Sequence, residues 1–181
     1  MKKISLFFAI LFVASLAITT SSCKKEKPAS LSCTIDGTQF NSLLRTNTKG
    51  AISDWDKNGF VLVSTDAGGK YLTLLIAGDS EKEYGLELNI FSAKAGCTVI
   101  YNAGGEDGED TGKYTGTAGK ITVTEIDEEE KLISGTFSFT LVNVADATKT
   151  IQITDGVFEY LSYREASISS AMISAFASSK K

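Results

Sequence analysis

The chain has 181 residues, with 18 basic against 22 acidic side chains, no histidine and three cysteines. That length suits one domain with a real core, and the net charge of −4 disfavours a nucleic-acid partner, whose binding rests on neutralised phosphates. The missing imidazole removes Ser-His-Asp and Cys-His nucleophiles and every histidine-ligated metal, leaving carboxylate chemistry as the main route open to an enzyme. Lys2 and Lys3 precede an apolar run over residues 4–18, which ends in Thr19, Thr20, Ser21 and Ser22 before Cys23. A spanning helix needs roughly 20 apolar residues, so residues 1–22 read as a cleaved signal peptide. Its loss leaves 159 residues with 16 basic and 22 acidic side chains, a net charge of −6.

The stretch TSSC resembles the lipobox of bacterial lipoproteins, with Thr20 where that motif usually has leucine. The resemblance implies cleavage before Cys23 and a diacylglyceryl group on its sulfur; a plain secretory signal is the alternative. Acyl chains, each worth ~0.8 kcal/mol per buried CH₂, would then hold the N-terminus on a membrane. Residues 23–30 form the lipidated N-terminus and a polar tether with Pro28, the chain's only proline. Lys24, Lys25 and Lys27 lie there as solvated linker or beside lipid headgroups.

From residue 31 to 161 the hydrophobic period is two. In LSCTI, Cys33 shares a face with Leu31 and Ile35. DWDKNG then sets Asp54, Asp56 and Asn58 before Gly59, the opening of a calcium loop in which alternate side chains turn oxygen toward one ion. Leu62 and Thr65 stand at the ninth and twelfth positions, so the expectation is at most a weak Ca²⁺ site, and Asn58-Gly59 as a hairpin turn is the plainer reading. Trp55 in the same polar stretch is either an aromatic contact for a sugar or peptide or a cover for the edge of the fold. An immunoglobulin reading of Cys33, Trp55 and Cys97 fails, because Ala95 stands where a tyrosine corner would be.

GFVLVSTD reads as a strand, and KYLTLLIAG is apolar on both faces, as a strand covered on both sides would be. YGLELNI puts Tyr84, Leu86, Leu88 and Ile90 on one face and Glu87 and Asn89 on the other. Cys97 shares a face with Val99, so Cys33 and Cys97 are either a disulfide in an oxidising compartment or two buried thiols. The glycine-rich loop with Glu106, Asp107, Glu109 and Asp110 reads as a solvated connection whose spacing matches no known calcium loop.

GKITVTEI turns Ile121 and Val123 inward, and KLISGTFSFTLVN turns Ile133, Gly135, Phe137, Phe139 and Leu141 inward. Between them Asp127, Glu128, Glu129 and Glu130 make an acidic hairpin tip, solvated surface like Glu83 and Glu87. Gly135 inside a strand marks a bulge or a close backbone approach. TIQITDGVFEYL adds another strand, and Gly68-Gly69, Gly104-Gly105 and Asp155-Gly156 are turn or bulge signals. In residues 162–181, Ile168, Ala171, Met172, Ala175 and Phe176 recur at helical spacing, which predicts a short C-terminal helix packed on the β domain, or a frayed tail. The predicted fold is all-β, an antiparallel β-sandwich or barrel-like meander of about eight to ten strands.

The run from Gly119 to Leu161, and more loosely CTIDGTQF, resembles small Bacteroidota lipoproteins with a single β domain of unknown function. The resemblance implies an outer-membrane, lipid-anchored domain facing the periplasm or the cell surface, and the lysines after Cys23 favour the periplasmic side. It brings no catalytic residues. The expectation is a binding or structural module of the cell envelope, partnered with an envelope protein or glycan. The alternatives are a carboxylate-based enzyme on envelope polysaccharide and a weakly calcium-binding adhesin-like domain.

Overall fold

The computed structural model describes residues 28–51, 58–87, 95–104 and 112–168. Eleven strands follow in chain order: β1 (Ser30–Ile35), β2 (Thr38–Asn41), β3 (Leu44–Ala51), β4 (Asn58–Thr65), β5 (Tyr71–Ala77), β6 (Glu83–Gly85), β7 (Gly96–Asn102), β8 (Lys113–Asp127), β9 (Leu132–Asn143), β10 (Thr150–Ser162) and β11 (Arg164–Glu165). They form one sheet in the order β11-β3-β4-β5-β7-β8-β9-β10-β1-β2, with β6 paired to β8. Every named pair is antiparallel except β11 with β3. The sheet curls into a half-barrel, the barrel-like of the two closures the patterning allowed, and the short β6 and β11 bring the count above the eight to ten expected.

The curl follows from connections that are too short for a flat sheet. β2 and β3 lie at opposite ends of the strand order, yet only Ser42 and Leu43 separate them. The Ser42 amide bonds to Leu31 O at 2.9 Å and the Leu43 amide to Thr65 O at 2.9 Å, so adjacent residues grip both ends of the sheet. At the other end Tyr163 alone joins β10 to β11. Register shifts in β1, β8 and β10 bend the strands, as β-bulges do. One of these holds Asp155-Gly156, with Asp155 at φ +53°, so this pair is a bulge inside β10 and not a turn.

The inward residues of the period-two strands make the core: Ile121, Ile133, Leu141 and Phe158 are fully buried, and Phe137 and Phe139 nearly so. Gly135 is the close approach expected of it, since a Cβ there would collide with Thr122 O and the Phe158 ring. Ser134, expected outward, is buried because its hydroxyl accepts a 3.0 Å bond from the Tyr160 amide at a bulge of β10. Both faces of β5 are buried, as its composition demanded.

Two local expectations change, and one turn is new. Asn58-Gly59 is not a hairpin turn: both residues are inside the β3–β4 ladder, Asn58 opposite Ala51 and Gly59 opposite Gly50. The predicted C-terminal helix does not begin at Glu165, because residues 164–168 run extended beside β3, with the Ala166 amide bonded to Lys49 O and the Ile168 amide to Ala51 O. The remainder of that stripe, 169–181, lies outside the described residues. Asp36-Gly37, with φ of +46° and +77°, makes the tight β1–β2 turn that the sequence reading passed over.

The half-barrel has two distinct ends. Its mouth collects the β1–β2, β4–β5 and β9–β10 turns, and its base collects the ends of β3, β5 and β10 and the β8–β9 hairpin. Among the described residues no helix is long and apolar enough to cross a membrane.

Candidate functional site

At the mouth the curled sheet leaves a cleft of about 180 Å³. Its floor is aromatic. Phe40 of β2 meets Tyr101 of β7 edge-on, with centroids 6.5 Å apart at 85°, and Tyr114 of β8 lies 6.3 Å from Tyr101 at 37°. Inward alternation places all three: Phe40 partners Cys33, Tyr101 partners Leu72 and Tyr114 partners Tyr101. Phe40 and Tyr101 are buried, while Tyr114 is half-exposed.

The rim is polar and comes from two turns. The β1–β2 hairpin contributes Asp36 and Gln39, and the β4–β5 turn contributes Asp66 and Lys70. Asp66 closes its own turn, with Oδ1 accepting the Gly68 amide at 2.8 Å and the Lys70 amide at 2.9 Å. Asp36 Oδ1 accepts the Gln152 amide at 2.9 Å. Both carboxylates therefore anchor backbone, which fixes the rim and leaves each with one oxygen for a ligand. Burial, reinforced by the Asp66 charge, pushes the Tyr101 hydroxyl up to about 12, so it stays protonated through the neutral range. The cleft thus offers hydroxyl, ammonium and amide donors beside carboxylate acceptors over an apolar floor. That is an arrangement for holding a ligand by its edges.

The sequence reading singled out none of these cleft residues, because their strands meet only when the sheet curls. The one available signal was inward parity, which marks Tyr101 through Val99. A second, shallower groove of about 320 Å³ lies on the outside of β8–β10 and is lined by Lys120, Thr122, Thr136, Ser138 and Asp155.

The residues the sequence did single out do not gather here. Cys23, Asp54, Trp55 and Asp56 lie outside the described residues. Asn58, the remaining member of the expected calcium loop, starts β4 at the base and donates through Nδ2 to Asp79 Oδ2 at 3.3 Å. Among the described residues no group of three or more Asp, Glu, Cys or His is placed to hold a metal. Cys33 and Cys97 are both buried and free, in place of the disulfide considered from the sequence. They belong to β1 and β7, four steps apart in the strand order, and Cys97 Sγ donates to Tyr84 O at 3.1 Å. Burial pushes both thiols up to about 12.

The acidic hairpin tip is more than solvated surface. Asp127 Oδ1 accepts the Glu129 and Glu130 amides at 3.0 and 2.8 Å, capping the turn, and Glu128 pairs with Lys49 at 2.6 Å. Lys49 Nζ sits 5.7 Å from the Phe60 ring centroid and 5.8 Å from that of Tyr163. Burial is the largest single influence and works against its charge, but the Glu128 hydrogen bond together with the charges of Tyr163, Glu128 and Asp79 outweighs it, and the Lys49 pKa is raised. Glu83 pairs with Lys120 at 2.7 Å on the surface, both side chains exposed.

The family model for a domain of unknown function (DUF6252) matches residues 31–162, which span β1 through β10. No curated protein and no solved structure matches the chain.

Proposed function

The chain belongs to the DUF6252 family, a domain of unknown function, and on that premise we propose that it is a lipid-anchored, extracytoplasmic binding module of the cell envelope. The observation that carries this reading is the aromatic cleft, floored by Phe40, Tyr101 and Tyr114 and rimmed by polar groups of two turns. A tether over residues 23–30, held by an acylated Cys23 in the outer membrane, leads into β1.

A cleft of about 180 Å³ is at the small end for ligand sites, with room for one ring or one chain end. Aromatic floor and mixed polar rim suit a hydroxyl-rich ring, which makes an envelope glycan the ligand class. In the cleft floor, burial moves the Tyr101 hydroxyl up to about 12, so it serves there as a hydrogen-bond donor to a ligand.

The test is an NMR titration with a panel of envelope oligosaccharides. Shifts should centre on Phe40, Tyr101, Tyr114 and Lys70 and vanish in Tyr114→Ala. Shifts confined to the outer face of β8–β10, or none with any glycan, would refute the cleft as the site. Intact mass of membrane-extracted protein checks the anchor: residues 1–22 absent and acyl groups on Cys23 are expected, and an unlipidated soluble species refutes it.

A further inference from the structure

The rim of the mouth cleft carries more negative than positive charge. Asp36 lines it from the β1–β2 turn and Asp66 from the β4–β5 turn, against the single ammonium of Lys70. Lys70 stands on the same turn as Asp66, yet among the described residues it forms no ion pair with Asp66 or with Asp36. Each carboxylate commits Oδ1 to backbone amides, Asp66 to those of Gly68 and Lys70 and Asp36 to that of Gln152. Each keeps Oδ2 without a partner among the described residues. Asp66 is half-buried and Asp36 exposed, so a ligand entering the cleft displaces the remaining water of Asp66 first.

A third group points to a ligand independently. Tyr101 is 5 % exposed and lines the cleft, and its hydroxyl makes no hydrogen bond among the described residues. Buried polar groups are ordinarily paired, so a hydroxyl left over at the floor of a cleft is available to whatever enters. The charge of Asp66 acts on this hydroxyl, which places the two at the same space.

The balance of charge decides what kind of ligand suits that space. A neutral ring pressed onto the rim takes water from carboxylates whose charge nothing offsets, and desolvating an unpaired charge is unfavourable. An ammonium in the same place offsets it, because its N–H groups make charge-assisted bonds to Asp66 Oδ2, Asp36 Oδ2 and the Tyr101 oxygen. The aromatic floor works in the same direction, since the π-face of an aromatic ring attracts a cation. The acidic balance of the whole chain, −4, draws cations to it as well.

We propose that the ring held in this cleft is an amino sugar with a free amine, its ammonium seated between Asp66 and Asp36 and its hydroxyl oxygens accepting from Lys70. The inference rests on the glycan reading of the cleft and narrows it. Glucose-type rings have no cation to offer the two carboxylates, and in an N-acetylated ring the amide nitrogen is uncharged.

The experiment is an NMR titration of the protein with the methyl glycosides of glucosamine, N-acetylglucosamine and glucose, read at Tyr101 and Tyr114. The glucosamine ring should bind ~10-fold tighter than the other two, or better. In Asp36→Asn with Asp66→Asn, whose amide oxygens can still accept the same backbone amides, its affinity should fall to that of the N-acetylated ring. Equal affinities for the three sugars in the parent chain, a preference that survives in the double variant, or glucosamine shifts confined to the acidic β8–β9 hairpin overturns the inference and leaves the glycan cleft standing. No shift at Tyr101 or Tyr114 with any of the three overturns both. The comparison of sugars in the parent chain holds whatever the fold of the variant.

Discussion

Replacing Gly135 by alanine separates two effects of opposite sign. In extended backbone, adding a methyl group ordinarily stabilises by ~0.4–1 kcal/mol, because it restricts the unfolded chain. At Gly135 the new Cβ would lie 2.5 Å from Phe158 Cζ and 3.0 Å from Phe158 Cε1, and would collide with Thr122 O on β8. Phe158 is fully buried, stacked 6.3 Å from Phe137, and so has nowhere to swing. The Thr122 carbonyl belongs to the β8–β9 ladder, where Thr122 pairs with Thr136, and its retreat would disturb that pairing. Overpacking of this kind costs ~1–3 kcal/mol, and with a backbone atom as the obstacle the upper end applies. The expected net loss is ~2 kcal/mol, or ~4–8 °C in Tm for a domain of this size. Urea unfolding followed by circular dichroism reads it directly. The cycle with Phe158→Ala divides the cost: that background removes the ring collision and keeps the carbonyl one, so Gly135→Ala should there cost less but remain destabilising. A Gly135→Ala chain as stable as the parent, or more so, would refute the close-approach reading and with it the packing of β9 between β8 and β10.

Cys33 and Cys97 should resist a thiol reagent at pH 8 in the folded chain and both react after denaturation; rapid labelling of the native protein would contradict their burial. With folded thiols near 12 against 9.0 unfolded, the native state holds protons that the unfolded state has released between those values. Stability should therefore be unaffected by these groups below pH 9 and fall above it, by up to ~1.4 kcal/mol per pH unit for each thiol. Alkaline melting that is flat from pH 9 to 11 would argue against it. Lys49→Met should change stability by less than ~1 kcal/mol, since the Glu128 end of its ion pair is exposed and the stem keeps its place over Phe60 and Tyr163. Lys49→Ala should cost more, ~1–2 kcal/mol, and equal losses in the two variants would show that charge and not packing dominates. Lys70→Ala should weaken glycan binding without moving the urea midpoint, and a shifted midpoint would mean that Lys70 serves the β4–β5 turn instead.

The strands themselves were legible in the residues. Alternation alone identified β8, β9 and β10 and their inward side chains, because the side-chain period of a strand is local and one buried face imposes it. The two apolar faces of β5 likewise announced that both would be covered. Local chemistry misled where a neighbour in space had the stronger claim. Asn58-Gly59 carries a turn signature, but Gly50 and Ala51 across the ladder hold it in β4. Ile168 opens a helical stripe, but the edge of β3 offers the Lys49 and Ala51 carbonyls, and residues 166 and 168 pair with those. Nothing in the sequence placed Phe40, Tyr101 and Tyr114 together, since β2 reaches β7 only when two-residue and one-residue links draw the ends of the sheet round. What the sequence determined by itself was therefore what neighbours along the chain set: strand periodicity and the inward faces. The closure of the sheet, the cleft at its mouth, the close approach at Gly135 and the separation of Cys33 from Cys97 depend on contacts between residues far apart in sequence, which only the folded arrangement brings within reach.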